Sequence, residues 1–318
     1  MLPPDPRSPL HEDPPPDFHL DRALLRRRFS RAAARCDEAA FLAREIARRM
    51  DERLDYIRIA PRRILDLGCG TGSDLERLGA RYPAAGRIGI DFAESMLARA
   101  RQRLAPRAGG LRRLFGGAKP ALQLAAADAA RLPLADASVT LVWSNLMLPV
   151  IDTPQSVLRE IYRVLECGGL AMFSTLGPDT LRELRDALPS RGSERVHRFI
   201  DMHDLGDALL HAGFADPVMD MEMLTLTYTR LDELFADLRT AGVNNAARTR
   251  ARGLGGRAGW ETARARYETL RREGRLPVSV EIIQGHAWKT APGAQPAAPP
   301  PDGRAVVRLH PPARRHAG

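Results

Sequence analysis

Short apolar runs separated by amphipathic stretches recur through the middle of this chain. Runs at 63–67, 87–91, 122–127, 139–144 and 170–175 are too short for helices and end in polar or glycine-rich turns, so they predict strands. The segments 72–81, 93–103 and 153–166 show the three-to-four residue apolar spacing of helices. Strand and helix in alternation predict an α/β fold, a parallel, doubly wound sheet. Thr153 and Pro154 supply a cap and a first-turn proline for the helix at 153–166, and Gly168-Gly169 is expected to stop it.

On the amino-terminal side, 21–58 carries Leu24, Leu25, Phe29, Phe41, Leu42, Ile46, Met50, Leu54 and Ile57 at helical spacing without proline or glycine, which predicts two helices. On the carboxyl-terminal side a helix at 180–188 and another at 202–211, ended by Gly213, precede two strand-like runs at 218–228 and 278–287. A paired strand needs only a short turn. The 229–277 segment between these runs, helical in pattern and rich in arginine, therefore reads as a functional cap. The expected organisation is a disordered leader at 1–20, a helical cap at 21–60, a core at 61–228, the insertion at 229–277, a last strand at 278–290 and a disordered tail at 291–318. Proline at positions 3, 4, 6, 9, 14, 15 and 16 among acids rules a signal-peptide core out of the leader.

The chemistry concentrates at the first strand. Ile64-Leu-Asp-Leu-Gly-Cys-Gly-Thr-Gly72 runs from strand into a turn with glycine at Gly68, Gly70 and Gly72, so the backbone can take positive φ and approach a ligand closely. Asp66, at the strand end, can orient the loop or the ligand. A dinucleotide fingerprint wants its third glycine at position 73, which is Ser73, so the spacing disfavours NAD and FAD. Asp91 closes the second strand about 20 residues after the loop, where a carboxylate can accept both ribose hydroxyls. Asp128 closes the third strand, again at the carboxyl edge where open α/β sheets bind ligands.

Four motifs in this order, Asp-Leu-Gly-Cys-Gly-Thr-Gly, Gly-Ile-Asp-Phe-Ala-Glu-Ser-Met-Leu, Asp-Ala-Ala-Arg-Leu-Pro-Leu and Arg-Val-Leu-Glu-Cys-Gly-Gly, resemble the class I S-adenosylmethionine-dependent methyltransferases. The resemblance implies a seven-stranded Rossmann-like sheet closed by an antiparallel pair, with S-adenosyl-L-methionine as cofactor. It puts the glycine loop at Gly68, Gly70 and Gly72 against the methionine part, Asp91 on the ribose and Asp128 on the adenine amino group. It further implies Met96 against the adenine ring and Asn145 near the amino-acid end of the cofactor.

Composition narrows the setting. The 318 residues carry a formal charge of +9 that is almost wholly arginine, since the only lysines are Lys119 and Lys289. Cys36, Cys69 and Cys167 are too few and too scattered for a metal site or a disulfide framework, which fits a reducing cytoplasm. No run approaches the ~18 apolar residues of a membrane span. His197, His203, His211 and His286 are scattered and read as structural.

The methyl acceptor is read from the additions. Arg26-Arg-Arg-Phe-Ser-Arg-Ala-Ala-Ala-Arg-Cys-Asp37 and Gly274-Arg-Leu-Pro-Val-Ser-Val-Glu-Ile-Ile-Gln-Gly-His-Ala-Trp-Lys289 resemble the malonyl-acyl carrier protein O-methyltransferases of biotin synthesis, over roughly residues 24–289. That family carries a tyrosine where this chain has Cys36, although Asp37 is kept. Arg22-Ala-Leu-Leu-Arg-Arg-Arg and Gly242-Val-Asn-Asn-Ala are also similar to the complex I assembly factors linked to arginine hydroxylation. The basic charge leaves a nucleic-acid methyltransferase open, and Met/Leu-rich 219–226 a quinone methyltransferase. A module that holds the cofactor without turnover is the remaining class. Residues 21–63 hold thirteen arginines against seven acids and 239–275 ten against three. If both cap one edge of the sheet, they form a basic rim for an acidic carrier protein, with Arg26, Arg27, Arg28 and Arg31 as the substrate and partner candidates.

Overall fold

The computed structural model describes residues 19–105, 121–188, 196–250 and 257–290. Most of the expected leader, 1–18, and all of the expected tail lie outside them. Seven strands, β1 (Arg63–Leu67), β2 (Gly86–Asp91), β3 (Leu122–Ala126), β4 (Val139–Asn145), β5 (Leu165–Leu176), β6 (Ala215–Tyr228) and β7 (Leu276–Trp288), form one sheet in the order β3-β2-β1-β4-β5-β7-β6. The first five run parallel and β7 is antiparallel to both β5 and β6. Strand order reverses between β1 and β4, so the carboxyl ends of these strands open a crevice, the usual ligand position in such sheets.

Side-chain alternation sends successive residues of the central strands to opposite layers. In register, Ile64, Leu141 and Leu170 face one core with Ile46 and Met50 from α2 (Phe41–Arg53), while Leu65, Val142 and Ala171 face another with Val157, Leu158 and Ile161 from α5 (Pro154–Val164). Each row is buried. Both faces covered is the arrangement that lets parallel strands be apolar throughout.

One expected helix end is corrected. Helix α5 stops at Val164 and β5 begins at Leu165, so Gly168 and Gly169 lie inside the strand instead of ending the helix. The register to β4 slips between Val139↔Leu165 and Leu141↔Leu170, and Gly168 takes φ 78° there. A Cβ on Gly169 would meet the Glu166 carbonyl at 2.8 Å. Glycine serves a bulge here, the other common use of a glycine pair beside a strand.

The additions form a single lid. Helix α1 (Arg22–Ala32) is capped by Asp21, whose Oδ1 accepts from Leu24 N at 2.9 Å. The insertion between β6 and β7 supplies α8 (Leu231–Ala241) and α9 (Arg257–Glu268). Backbone bonds join the two segments: Asp21 N donates to Ala246 O at 2.9 Å and Arg248 N to His19 O at 2.7 Å. Gly242, at φ 79°, lets α8 end 3.1 Å from Ala32 as measured from a built Cβ. Segments more than 200 residues apart thus behave as one cap. The remaining helices are α3 (Ser73–Arg81), α4 (Glu94–Leu104), α6 (Arg182–Ala187) and α7 (Met202–His211).

Candidate active site

Gly68, Gly70 and Gly72 all adopt positive φ, at 81°, 50° and 82°. The turn they make returns its backbone to β2: Gly68 N and Cys69 N both donate to Ile90 O, at 2.8 and 3.0 Å. A side chain at Gly68 would meet Met147 Cγ at 2.6 Å, whereas nothing of the protein lies within 4 Å of a Cβ on Gly70. The loop is therefore closed on one side and open on the other.

A cavity of about 750 Å³ opens beside it, at the carboxyl ends of β1, β2 and β3. Its floor includes Leu67, Gly68, Asp91, Phe92, Asp128 and Met147, and α1 roofs it with Arg22, Arg26, Arg27 and Arg31 among others. Asp91 is buried, and its two oxygens accept from Gly70 N at 2.9 Å and Ala93 N at 2.8 Å. Burial pushes its carboxyl up, against the backbone donors that pull it down. Each oxygen keeps a lone pair for a hydroxyl. Asp128, half exposed, accepts from Ala130 N at 2.9 Å and pairs with Arg22 at 2.7 Å.

Asp66 is wholly buried, and its Oδ2 has no hydrogen-bond partner among the described residues. Burial first, then the neighbouring Asp74 and Asp91 charges, raise its carboxyl well above the ordinary range. The folded state therefore holds a proton there that the unfolded chain releases near pH ~3.9, and stability contributed by that proton is lost as pH rises through the raised value. Asp66→Asn is expected to melt higher than the unmodified protein at pH 8. The gap should amount to a few degrees, at roughly 2–4 °C per kcal/mol for a chain of this size, and close toward pH 4. A gap that thermal melts show to be the same at every pH would refute it.

Several expected residues do not meet in the cleft. Met96 is buried, packed with Ala32, Ala33 and Ala93 at the α1–α4 contact and 3.9 Å from Cys36 Sγ, outside the residues that line the cleft. Asn145 is committed to the protein: Nδ2 donates to Ala43 O and Asp74 Oδ2, both at 3.0 Å, and Oδ1 accepts from Ser174 at 2.8 Å. Arg28 turns away from the cleft and donates through Nη1 to Asn244 O at 2.7 Å and Asn245 O at 2.8 Å. The even basic rim is also divided, because Arg35, Arg48, Arg49, Arg53, Arg250, Arg264 and Arg271 each pair with a carboxylate. Arg26 and Arg31 remain exposed without an ion pair among the described residues.

Two contacts had no legible signal. Thr71 Oγ1 of the glycine loop donates to Asp37 Oδ1 at 2.7 Å, and Arg103 pairs with the same carboxylate. The lid is thereby tied to the loop it covers. Asp74 is buried and accepts from Trp143 Nε1 at 3.0 Å as well as from Asn145. Both pairs bridge residues far apart in sequence, and neither belongs to a spaced motif.

The open loop and the two strand-end acids fit an adenosine-bearing ligand, with the lid's underside as the roof, while Asp66 lies buried behind the cleft and does not line it. The family model described as "Methyltransferase domain" matches residues 65–173. The fold is shared with the YcgJ protein of Bacillus subtilis, 14% identical, covering 77% of this chain and 99% of that one with a TM-score of 0.50. A Bacillus halodurans C-125 protein assigned as a methyltransferase, 16% identical, covers the same shares with a TM-score of 0.51. Fold and site together define a class I, Rossmann-like methyltransferase. Three relatives named malonyl-[acyl-carrier protein] O-methyltransferase align over nearly the whole chain. That of Laribacter hongkongensis is 49% identical across 92% of this chain and 97% of its own, that of Methylovorus sp. 47% across 92% and 96%, and that of Gallionella capsiferriformans 45% across 92% and 97%. The chain belongs to the malonyl-[acyl-carrier protein] O-methyltransferase family.

Proposed function

We infer that this chain transfers a methyl group to the free carboxylate of a malonyl-acyl carrier protein, a step that fits biotin synthesis. Relatives of that name at 45–49% identity over 92% of the chain carry the reading. They favour it over arginine hydroxylation and over a nucleic-acid or quinone acceptor. S-adenosyl-L-methionine, when bound, supplies an electrophilic methyl on a sulfonium. Asp91 is assigned to the ribose, Asp128 to the adenine amino group, and the Gly68–Gly72 loop to the amino-acid end.

The malonyl carboxyl is ionised near neutral pH, with a reference pKa close to those of Asp and Glu, so the chain has no proton to remove. Its task is placement and the exclusion of water from the nucleophile. The lid formed by α1 and the insertion, locked to the loop through Asp37 and Thr71, suits that task. No described helix is long and apolar enough to cross a membrane, and a cytoplasmic setting belongs to this reading.

Incubating malonyl-carrier protein with enzyme and cofactor should raise its intact mass by one methyl group. No increment would overturn the function. The acidic carrier protein is assigned to the exposed face around Arg26 and Arg31, and Arg27 sits beside them, near Asp21. Screening acts within about 8 Å at physiological ionic strength. Rising salt should therefore increase KM for carrier-bound substrate while a small malonyl thioester is little affected. Equal salt responses would remove the docking face.

A further inference from the structure

The first turn of α1 lies across one end of the cofactor cleft. Arg22 lines the cleft together with Asp128, just beyond β3, and Ile151, in the segment that follows β4. Its Nη1 donates to Asp128 Oδ2 at 2.7 Å, and its Nε stands 3.9 Å from Asp152 Oδ2. Asp152 Oδ1 also accepts from Leu20 N at 3.0 Å. One guanidinium and the backbone before it therefore join the two walls of the cleft.

The base of this arginine is held firmly. Asp21 caps the helix and pairs with Arg250, and the buried Leu20 forms a backbone bridge with Ala247 of the insertion. The charges at its tip are two carboxylates. His197, the other titratable group near Asp152, is held below its ordinary pKa by burial and is uncharged at neutral pH. Arg26, one turn further along α1, lines the same cleft but has no ion pair among the described residues.

Asp128 is the residue that gains from this contact. Its side chain is half exposed, and within its own turn only Oδ1 is held, by Ala130 N at 2.9 Å. The last torsion of an aspartate is broad, so a carboxylate anchored at one oxygen can turn, whereas reading one edge of a base requires acceptors fixed in place. Arg22 fixes the second oxygen. Each oxygen still keeps a lone pair for a ligand.

We propose that Arg22 is a positioning residue for the cofactor: bridging Asp128 and Asp152, it straps the adenosine end of the cleft and holds Asp128 in the orientation that reads the adenine amino group. The proposal rests on the assignment of Asp128 above. Partly exposed ion pairs are screened by salt and change an equilibrium by up to about fivefold, so the strap can open for ligand exchange without unfolding α1.

The test compares S-adenosylhomocysteine with S-inosylhomocysteine, in which a carbonyl oxygen replaces the adenine amino group. Calorimetry gives the affinities, stopped-flow mixing the release rates, and a thermal melt the stability of each variant. The unmodified protein should prefer the adenosyl ligand and release it faster as salt rises. Arg22→Gln should shrink that preference by about three- to fivefold, chiefly through faster release of the adenosyl ligand. It should also weaken the salt dependence of release and melt within about 2 °C of the unmodified protein. Arg22→Lys, which keeps the charge without the fork, should fall between. In an Asp128→Asn background, Arg22→Gln should remove no further preference. If Arg22→Gln weakens both ligands equally, Arg22 is only a strut of the lid and the proposal is overturned. Tighter binding of the adenosyl ligand by Arg22→Gln also overturns it, because the pair would then compete with the base. A preference that Asp128→Asn leaves unchanged overturns the adenine assignment itself, and the proposal falls with it.

Discussion

Gly68→Val is expected to abolish cofactor binding, the larger of the two strongest effects foreseen for this protein. Gly68 stands at φ 81°, where any Cβ is strained, and that Cβ would meet Met147 Cγ at 2.6 Å and Cβ at 2.7 Å. A β-branched residue at positive φ is an outlier that costs about 1–3 kcal/mol before any clash. Relief requires the loop to leave Ile90 O, which also carries Cys69 N. Calorimetry should find the dissociation constant raised by at least about 100-fold, near 2.7 kcal/mol. Gly70→Ala is the informative companion. No protein atom lies within 4 Å of its built Cβ, so only the strain of φ 50° acts on the apo fold. An affinity loss that exceeds the loss of stability would place ligand in that open space. Full binding by Gly68→Val would remove the loop from the site.

Asp91→Ala is expected to weaken cofactor binding by about 2–3 kcal/mol, roughly 30- to 150-fold. The variant loses the acceptor proposed for the ribose hydroxyls and also the acceptors for Gly70 N and Ala93 N, which hold the loop and the start of α4. Asp91→Asn keeps one carbonyl oxygen and sheds a buried charge, so it should be more stable than Asp91→Ala while still binding more weakly than the unmodified protein. An unchanged dissociation constant with a normal melting curve for Asp91→Ala would refute the ribose assignment.

The cleft and the lid differed in how plainly they could be read from the residue pattern. Glycine at 68, 70 and 72 marks positive φ because few other residues reach it, and all three positions adopt it. Asp91 and Asp128 are legible because a strand that ends in an acid places it at the sheet's carboxyl edge, and both line the cleft. Met96 and Asn145 were placed by resemblance, and their packing could not be read from the sequence. Met96 faces the seam between α1 and α4, whose geometry depends on how the lid docks. Asn145 is drawn into a network with Asp74, Ser174 and the Ala43 carbonyl, partners spread over 130 residues of sequence.

By itself, then, the sequence determined the alternation of strands and helices, the glycine turn and the acids after it, and the family. These depend on periodicity, turn chemistry and spacing, which act within a few residues. The tertiary structure alone decided which arginines are spent. Arg28 and Arg26 are two residues apart in a run that reads as uniformly basic, yet one binds the Asn244 and Asn245 carbonyls while the other lines the cofactor cleft. A charge census cannot separate them, because the carbonyls that fix the Arg28 guanidinium lie more than 200 residues away and meet it only when α1 docks on the insertion.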